Sequence, residues 1–403
     1  MIAVLATRRP SENPGQWRLR SGSGTSVGTG SSATPLGELA DGLVKIGSGS
    51  VFVFSNEDRQ WYNRWFVSLS LEVNDMRRWK ATIIGLIAIV CVFALAYYWQ
   101  RSLANRIAML PQNSVNVCDA DAVAFSPDGK RIAVTCSQND VHVYQFPELK
   151  PLAQLKAKDG RAFQAAFAPH KNLLAVAEWA GGVTLWDTTT WKKVTELQAR
   201  GRTNAVRFSP DGSWLAASEG ADAWCVVVWK TDPYRETYRF KAQGSSMFGP
   251  GFGCVEFVDN QTLAAGGLDG CVYIWELRRG RLLHRLCGHA QPIWRIAVVP
   301  AKGLIASASL DNTIVVWDWQ HGRQVAATKG GVVASCPAKG LLAASSGTPP
   351  IVLQLVETQG FRTVFSTEVK DQNILDMAFS ADGKYLVTAG NRQTVTVWRL
   401  RAP

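Results

Sequence analysis

From residue 120 onward, short runs alternate apolar residues with small or polar ones, and tight-turn signals separate the runs. Ala122-Val123-Ala124-Phe125 and Arg131-Ile132-Ala133-Val134 flank Ser126-Pro127-Asp128-Gly129, and the same kind of tetrad returns as Ser209-Pro210-Asp211-Gly212 and Ser380-Ala381-Asp382-Gly383. Proline suits the second position of a type I turn because its φ is already fixed there, and glycine suits the fourth. Alternating runs bounded by such turns predict half-buried β-strands. Ala168-Pro169-His170-Lys171 and Pro300-Ala301-Lys302-Gly303 stand where further turns are expected and read as drifted copies.

An aromatic or apolar anchor closes every third run. The anchors are Tyr144, Trp186, Trp229, Trp275, Trp317, the weaker Leu355 within Ile351-Val352-Leu353-Gln354-Leu355, and Trp398. Their spacings are 42, 43, 46, 42, 38 and 43 residues. A period near forty, with each unit ending in Trp, marks a propeller blade of four short strands. Seven units predict an all-β, seven-bladed β-propeller over residues 104 to 403. Too few residues follow Trp398 to supply the outermost strand of the last blade, and an open propeller leaves a raw sheet edge. The strand-like run Arg106-Ile107-Ala108-Met109-Leu110 is therefore expected to close the ring from the N-terminal side.

These units resemble the repeats of the WD-repeat β-propeller family, and the resemblance rests on seven spaced copies and not on one motif. It implies a buried hydrogen-bonded relay of His, Ser or Thr, Asp and Trp within a blade. Blade five carries the full set in His289, Ser307, Asp311 and Trp317, which favours a structural role for His289 over metal ligation or general-base work. Blade four keeps Asp269 and Trp275 but has Ala265 where the hydroxyl belongs, and the other blades lack the His. The resemblance also implies that each outer strand runs from the bottom face to the top, where it joins the next inner strand. Arg106 then enters at the bottom, near Gln100, and the top face points away. Partner-binding candidates on that face are Trp179 and Trp224 in turns, Trp294 after His289, and Met247, Phe248 and Phe252 in or beside the long loop from Gln243 to Gly253. Trp179 and Trp294 are equally compatible with packing against a neighbouring blade.

Ahead of the propeller, Ala81 to Gln100 carries no charged residue. About twenty mainly apolar residues suffice to cross a bilayer as a helix. Trp79 at one end and Tyr97, Tyr98 and Trp99 at the other match interfacial aromatic belts. Residues 76 to 101 read as a signal-anchor or transmembrane helix. Arg77, Arg78 and Lys80 put the N-terminus in the cytoplasm and the propeller in a periplasmic or luminal space, with a cytoplasmic propeller as the alternative. Met76 to Ala96 also has the layout of a cleavable signal sequence, and either version exports the propeller. Residues 1 to 75 are low in complexity, with Ser21 to Ser32 almost entirely Gly, Ser and Thr, and read as a solvated tail or as sequence ahead of a true start at Met76. Trp61-Tyr62-Asn63-Arg64-Trp65-Phe66 reads as an interfacial segment or as half of a small hairpin with Val51-Phe52-Val53-Phe54.

The formal charge of +11 is scattered without a basic run, so no nucleic-acid platform is expected. Eight Cys occur, none as Cys-x-x-Cys; seven fall in the propeller, so at least one is a free thiol. Cys225 and Cys271 occupy strand positions where a small buried residue is expected. No His-Glu-x-x-His, Gly-x-Ser-x-Gly or phosphate loop is present, and no catalytic residue, cofactor or metal is expected. Two classes of function remain. The first is a membrane-tethered scaffold holding a protein or peptide partner on the propeller's top face, with no enzymatic activity. The second is an exported enzyme or small-ligand-binding protein using the central channel, which needs several inward-facing His, Asp or Glu. The sequence reading finds none at the channel mouth.

Overall fold

The computed structural model describes residues 42–45, 51–54, 89–90 and 107–401, except 139, 159–160, 221–222, 244–248, 300–302 and 371–372. The chain divides into two compact units, Met1–Cys91 and Val92–Pro403. In the first, Val51–Phe54 pairs antiparallel with Gly42–Lys45, and the run 61–66 expected to partner it lies outside the described residues. Of the apolar run 81–100, only Ile89 and Val90 are described, and they are helical. Among the described residues no helix is long and apolar enough to cross a membrane.

The second unit is a ring of seven four-stranded antiparallel sheets. Six blades are consecutive in sequence, over 120–156, 162–197, 203–241, 252–287, 293–329 and 332–369. The seventh joins the three strands of 374–401 to Ala108–Asn116 as its outermost strand. Ala108 pairs with Arg401, Met109 with Leu400 and Asn116 with Thr394, so the first strand of the propeller closes its last blade. This strand runs six residues beyond the expected end at Leu110. Pro111 sits where the register slips, and on an edge strand its missing N–H costs no ladder bond. The polar run Gln112-Asn113-Ser114 is exposed and so carries no apolar signal.

The three inner strands of most blades are buried on both faces, a correction to the half-buried expectation. Cys225–Thr231 has one exposed residue, Lys230, whereas the outer strand Arg323–Lys329 is almost wholly exposed. The reason is that each sheet packs against a neighbour on either side. The core accordingly forms seven apolar clusters, one at each junction between neighbouring blades. The anchors pack into these junctions: Trp229, Trp275 and Trp317 are at most 4% exposed. Turn tetrads need their glycines because Gly129, Gly212 and Gly383 all sit at φ between +65° and +70°.

Four of the seven propeller cysteines are paired. Cys118–Cys136 ties the segment between the closing strand and blade one to the second strand of blade one, and Cys271–Cys287 links two neighbouring strands of blade four. Cys271 is thus a disulfide partner and not merely a small core residue. Cys225, Cys254 and Cys336 are free and buried. Burial pushes the Cys225 and Cys254 thiols up to about 12, which keeps both protonated and inert.

Candidate functional site at the channel mouth

Six inner strands slip register at their second residue: Asp121, Phe163, Asn204, Gly253, Trp294 and Leu375. A bulge of this kind re-aims the side chain it carries. These six, with Val332 of blade six, line one cavity of about 430 Å³ at the end of the ring where outer strands hand over to inner ones. That end is the top face.

The rim of the cavity is divided. On blades five to seven it exposes Leu310 and Leu375, at 57% and 39%, beside Trp294, with the polar Ser309, Asn312 and Thr348 between them. Gly253 is required there: a Cβ would stand 2.5 Å from the Ile293 carbonyl oxygen and 3.1 Å from the Trp294 ring. On blades one to three the rim is basic and aromatic. Arg161 pairs with Asp121, its Nε 2.6 Å from Oδ2 and its Nη2 bonded to Oδ1, and its guanidinium lies 5.1 Å from the Phe163 ring centroid. Phe163 stacks on Trp179 at 5.3 Å, and Arg202 covers the Trp179 ring at 3.8 Å.

Deeper in the channel, inner-strand charges are paired across blades. Arg295 Nε donates to Asp376 Oδ1 at 2.8 Å, and Asp376 Oδ2 accepts from the Val123 N–H at 3.0 Å. Arg295 also donates to the Asp121 carbonyl at 3.1 Å, and Arg207 pairs with Glu256 at 2.8 Å. The expectation of no inward-facing acids is corrected by Asp121, Glu256 and Asp376. For Asp376 and Glu256 the available signal was a charge where other repeats carry Ala122 and Ala205, or Ala124 and Ala166. Each of these carboxylates is held by an arginine.

The blade-five residues predicted as a relay are brought together, with one addition. His289 Nε2 lies 2.8 Å from Ser307 Oγ, which also accepts from Trp317 Nε1 at 2.8 Å. Asp311 and the unanticipated Thr313 contact His289 Nδ1 at 3.1 and 3.0 Å. With Asp311 as acceptor the proton sits on Nδ1, and Nε2 accepts from the Ser307 hydroxyl. Other blades fill the same slot differently. Tyr273 and Arg285 hold Asp269, while Arg239 holds the fully buried Glu219. Burial lowers the pKa of His289 from 6.5 against the opposing pull of Asp311. The unfolded chain therefore binds this proton at higher pH than the folded one. The contribution to stability is present above about pH 6.5 and is lost as pH falls through 6.5 towards the folded value. His289→Ala is expected to cost about 1–3 kcal/mol by stranding buried partners. Denaturant midpoints at pH 7.5 and 5.5 check both points: wild type should fall more between the two pH values than His289→Gln does.

The aromatic candidates do not converge on one site. Trp294 lines the cavity, Trp179 reaches it only through Phe163, and the exposed Trp224 is not among the lining residues. Phe252 is fully buried between Tyr273 and Trp275 and is unavailable to a partner, because it opens the inner strand of blade four and its side chain enters the core. Met247 and Phe248 lie outside the described residues. The sequence reading missed Arg161, Phe163, Arg202, Leu310 and Leu375.

The family model for the WD domain, G-beta repeat, matches residues 191–230, 250–276, 280–318 and 362–399. Three of these matches begin at the outer strand of one blade and end in the third strand of the next. Among curated proteins, the periodic tryptophan protein 2 homolog of Dictyostelium discoideum is 26% identical over 50% of this chain and 22% of its own length. Protein groucho of Drosophila melanogaster is 24% identical over 54% of this chain and 30% of its own length. The WD repeat-containing protein SL1-17 of Schistosoma mansoni is 30% identical over 36% of this chain and 46% of its own length. The chain thus spans less than half the length of each of these relatives.

Proposed function

We propose that this chain, a seven-bladed propeller carrying WD40 repeats, is a membrane-tethered scaffold that docks a protein or peptide partner in the top mouth of its channel. The observation that carries the docking reading is the mouth itself. All seven blades converge on one open cavity whose rim exposes Leu310 and Leu375 beside Trp294. Apolar anchors set in a pocket are the usual source of binding energy at protein interfaces. The arginine pairing of Asp121, Glu256 and Asp376 leaves these carboxylates engaged, which supports docking over acid–base chemistry in the channel.

Leu310→Asp with Leu375→Asp should leave the fold intact, since both side chains are exposed, and weaken partner capture at least about 30-fold, the effect of losing roughly 2 kcal/mol at a hot spot. Retention of the same partner by this double variant would refute the docking reading. Tethering rests on the uncharged run 81–100, and export is supported by the two disulfides, which suit an oxidising compartment. Protease protection of the propeller in sealed membranes, released by detergent, is the expected result. Release of the chain by alkaline carbonate speaks against the tether.

A further inference from the structure

We infer that the mouth selects a peptide segment in which a bulky apolar side chain is flanked by a carboxylate. The apolar group would enter beside Trp294 and Leu375, and the carboxylate would meet Arg202. This inference rests on the docking reading above and adds the chemistry of the partner.

The placement of groups around the mouth is the first ground: Trp294, Leu310 and Leu375 line it on blades five and seven, and across the ring Arg202 stands two residues before Asn204, which lines it on blade three. The state of Arg202 is the second. Its guanidinium is stacked on Trp179, which also stacks with Phe163. Stacking restrains the side chain yet leaves the planar N–H fork free to meet a carboxylate edge-on. Among the described residues no carboxylate lies within ion-pair range of Arg202, whereas its neighbour Arg161 is neutralised by Asp121. The nearby acids offer no internal substitute, because Glu178 and Glu219 are 5% and 0% exposed and Glu219 is already held by Arg239. Exposed Arg200 adds the same sign, whereas Lys158 is paired with Glu196. Arg202 is thus a cation without an internal carboxylate among the described residues, set next to the strand that carries Asn204 into the cavity.

A single-stranded nucleic acid would require open ring faces for its bases. Trp179, 38% exposed, already stacks with the Arg202 guanidinium and with Phe163, and Phe163 also carries the Arg161 guanidinium at 5.1 Å, so both rings are engaged within the protein. Engaged rings beside an unpaired guanidinium favour a peptide carboxylate over a stacked base.

The test uses the full chain in detergent and fluorescent heptapeptides with Leu, Phe or Met at the centre, flanked on both sides by Glu, Gln or Lys. Anisotropy should show the Glu set binding at least tenfold more tightly than the Gln set, with the Lys set weakest. Arg202→Gln should abolish the difference between the Glu and Gln sets while leaving binding of the Gln set unchanged. Equal binding of the Glu and Gln sets to wild type, or a preference that survives Arg202→Gln, overturns the inference and leaves the docking reading standing. If no set binds, or if Leu375→Asp binds every set as wild type does, the docking reading fails as well. A uridine dodecamer that binds the mouth where no peptide does would overturn both in favour of nucleic acid.

Discussion

Replacing Asp376 with Ala should cost about 3–5 kcal/mol, the range for removing one partner of a buried ion pair. Asp376 is 4% exposed and joins three blades at once. From blade seven it accepts from Arg295 of blade five and from the Val123 N–H of blade one, a residue 253 positions away in sequence. Its removal strands a guanidinium in the channel and a backbone donor on the first inner strand, at the junction where the ring closes. Denaturant unfolding followed by tryptophan fluorescence measures the loss. An exposed pair gives the contrast. Lys384 and Asp382 are 68% and 49% exposed, and breaking that contact should change stability by only about 0–1 kcal/mol. Equal losses for Asp376→Ala and Lys384→Ala would show that the channel network contributes no more than a surface contact.

The second large effect is expected at Cys118–Cys136. The bond closes a loop of 18 residues, for which the loss of chain entropy in the unfolded state corresponds to about 3 kcal/mol. Its position adds meaning to that figure. Cys118 lies just after the strand Ala108–Asn116 that seals blade seven and just before the strand Ala120–Phe125 that opens blade one. The pairing that closes the ring, Ala108–Asn116 with Thr394–Arg401, is not crossed by the bond, which instead fixes the exit of the closing strand to the second strand of blade one. Cys118→Ser with Cys136→Ser should lower the unfolding midpoint in non-reducing buffer and should remove most of the response of wild type to reductant. A variant as stable as oxidised wild type would show that the bond adds nothing to the anchoring of the closing strand on blade one. Cys271–Cys287 joins two strands already paired within one blade, so Cys271→Ser with Cys287→Ser should leave that anchoring untouched.

The relay around His289 was legible because its members lie within one repeat, at offsets that a single blade sets by itself. The mouth was not legible in the same way. Arg161, Phe163, Trp179 and Arg202 belong to two blades, and their stacking depends on how those blades pack. Phe252 misled because its loop neighbours Gly249, Pro250, Gly251 and Gly253 signal a surface turn, yet it is the first residue of an inner strand and its ring fills the core. The closing strand was found but cut short at Leu110, since an exposed outer edge needs no apolar alternation to stay paired. The cysteine pairing was beyond reach for a related reason: spacing does not specify connectivity.

The sequence by itself determined the number of blades, the strand order and the closure of the ring, because each repeat encodes its own turns, alternation and anchor through contacts a few residues apart. Only the tertiary structure decided where charge and apolar surface meet at the mouth, which acids are held by which arginines, and which cysteines bond. Those properties arise between repeats, where distances are set by the packing of whole sheets and residues as far apart as Val123 and Asp376 become neighbours.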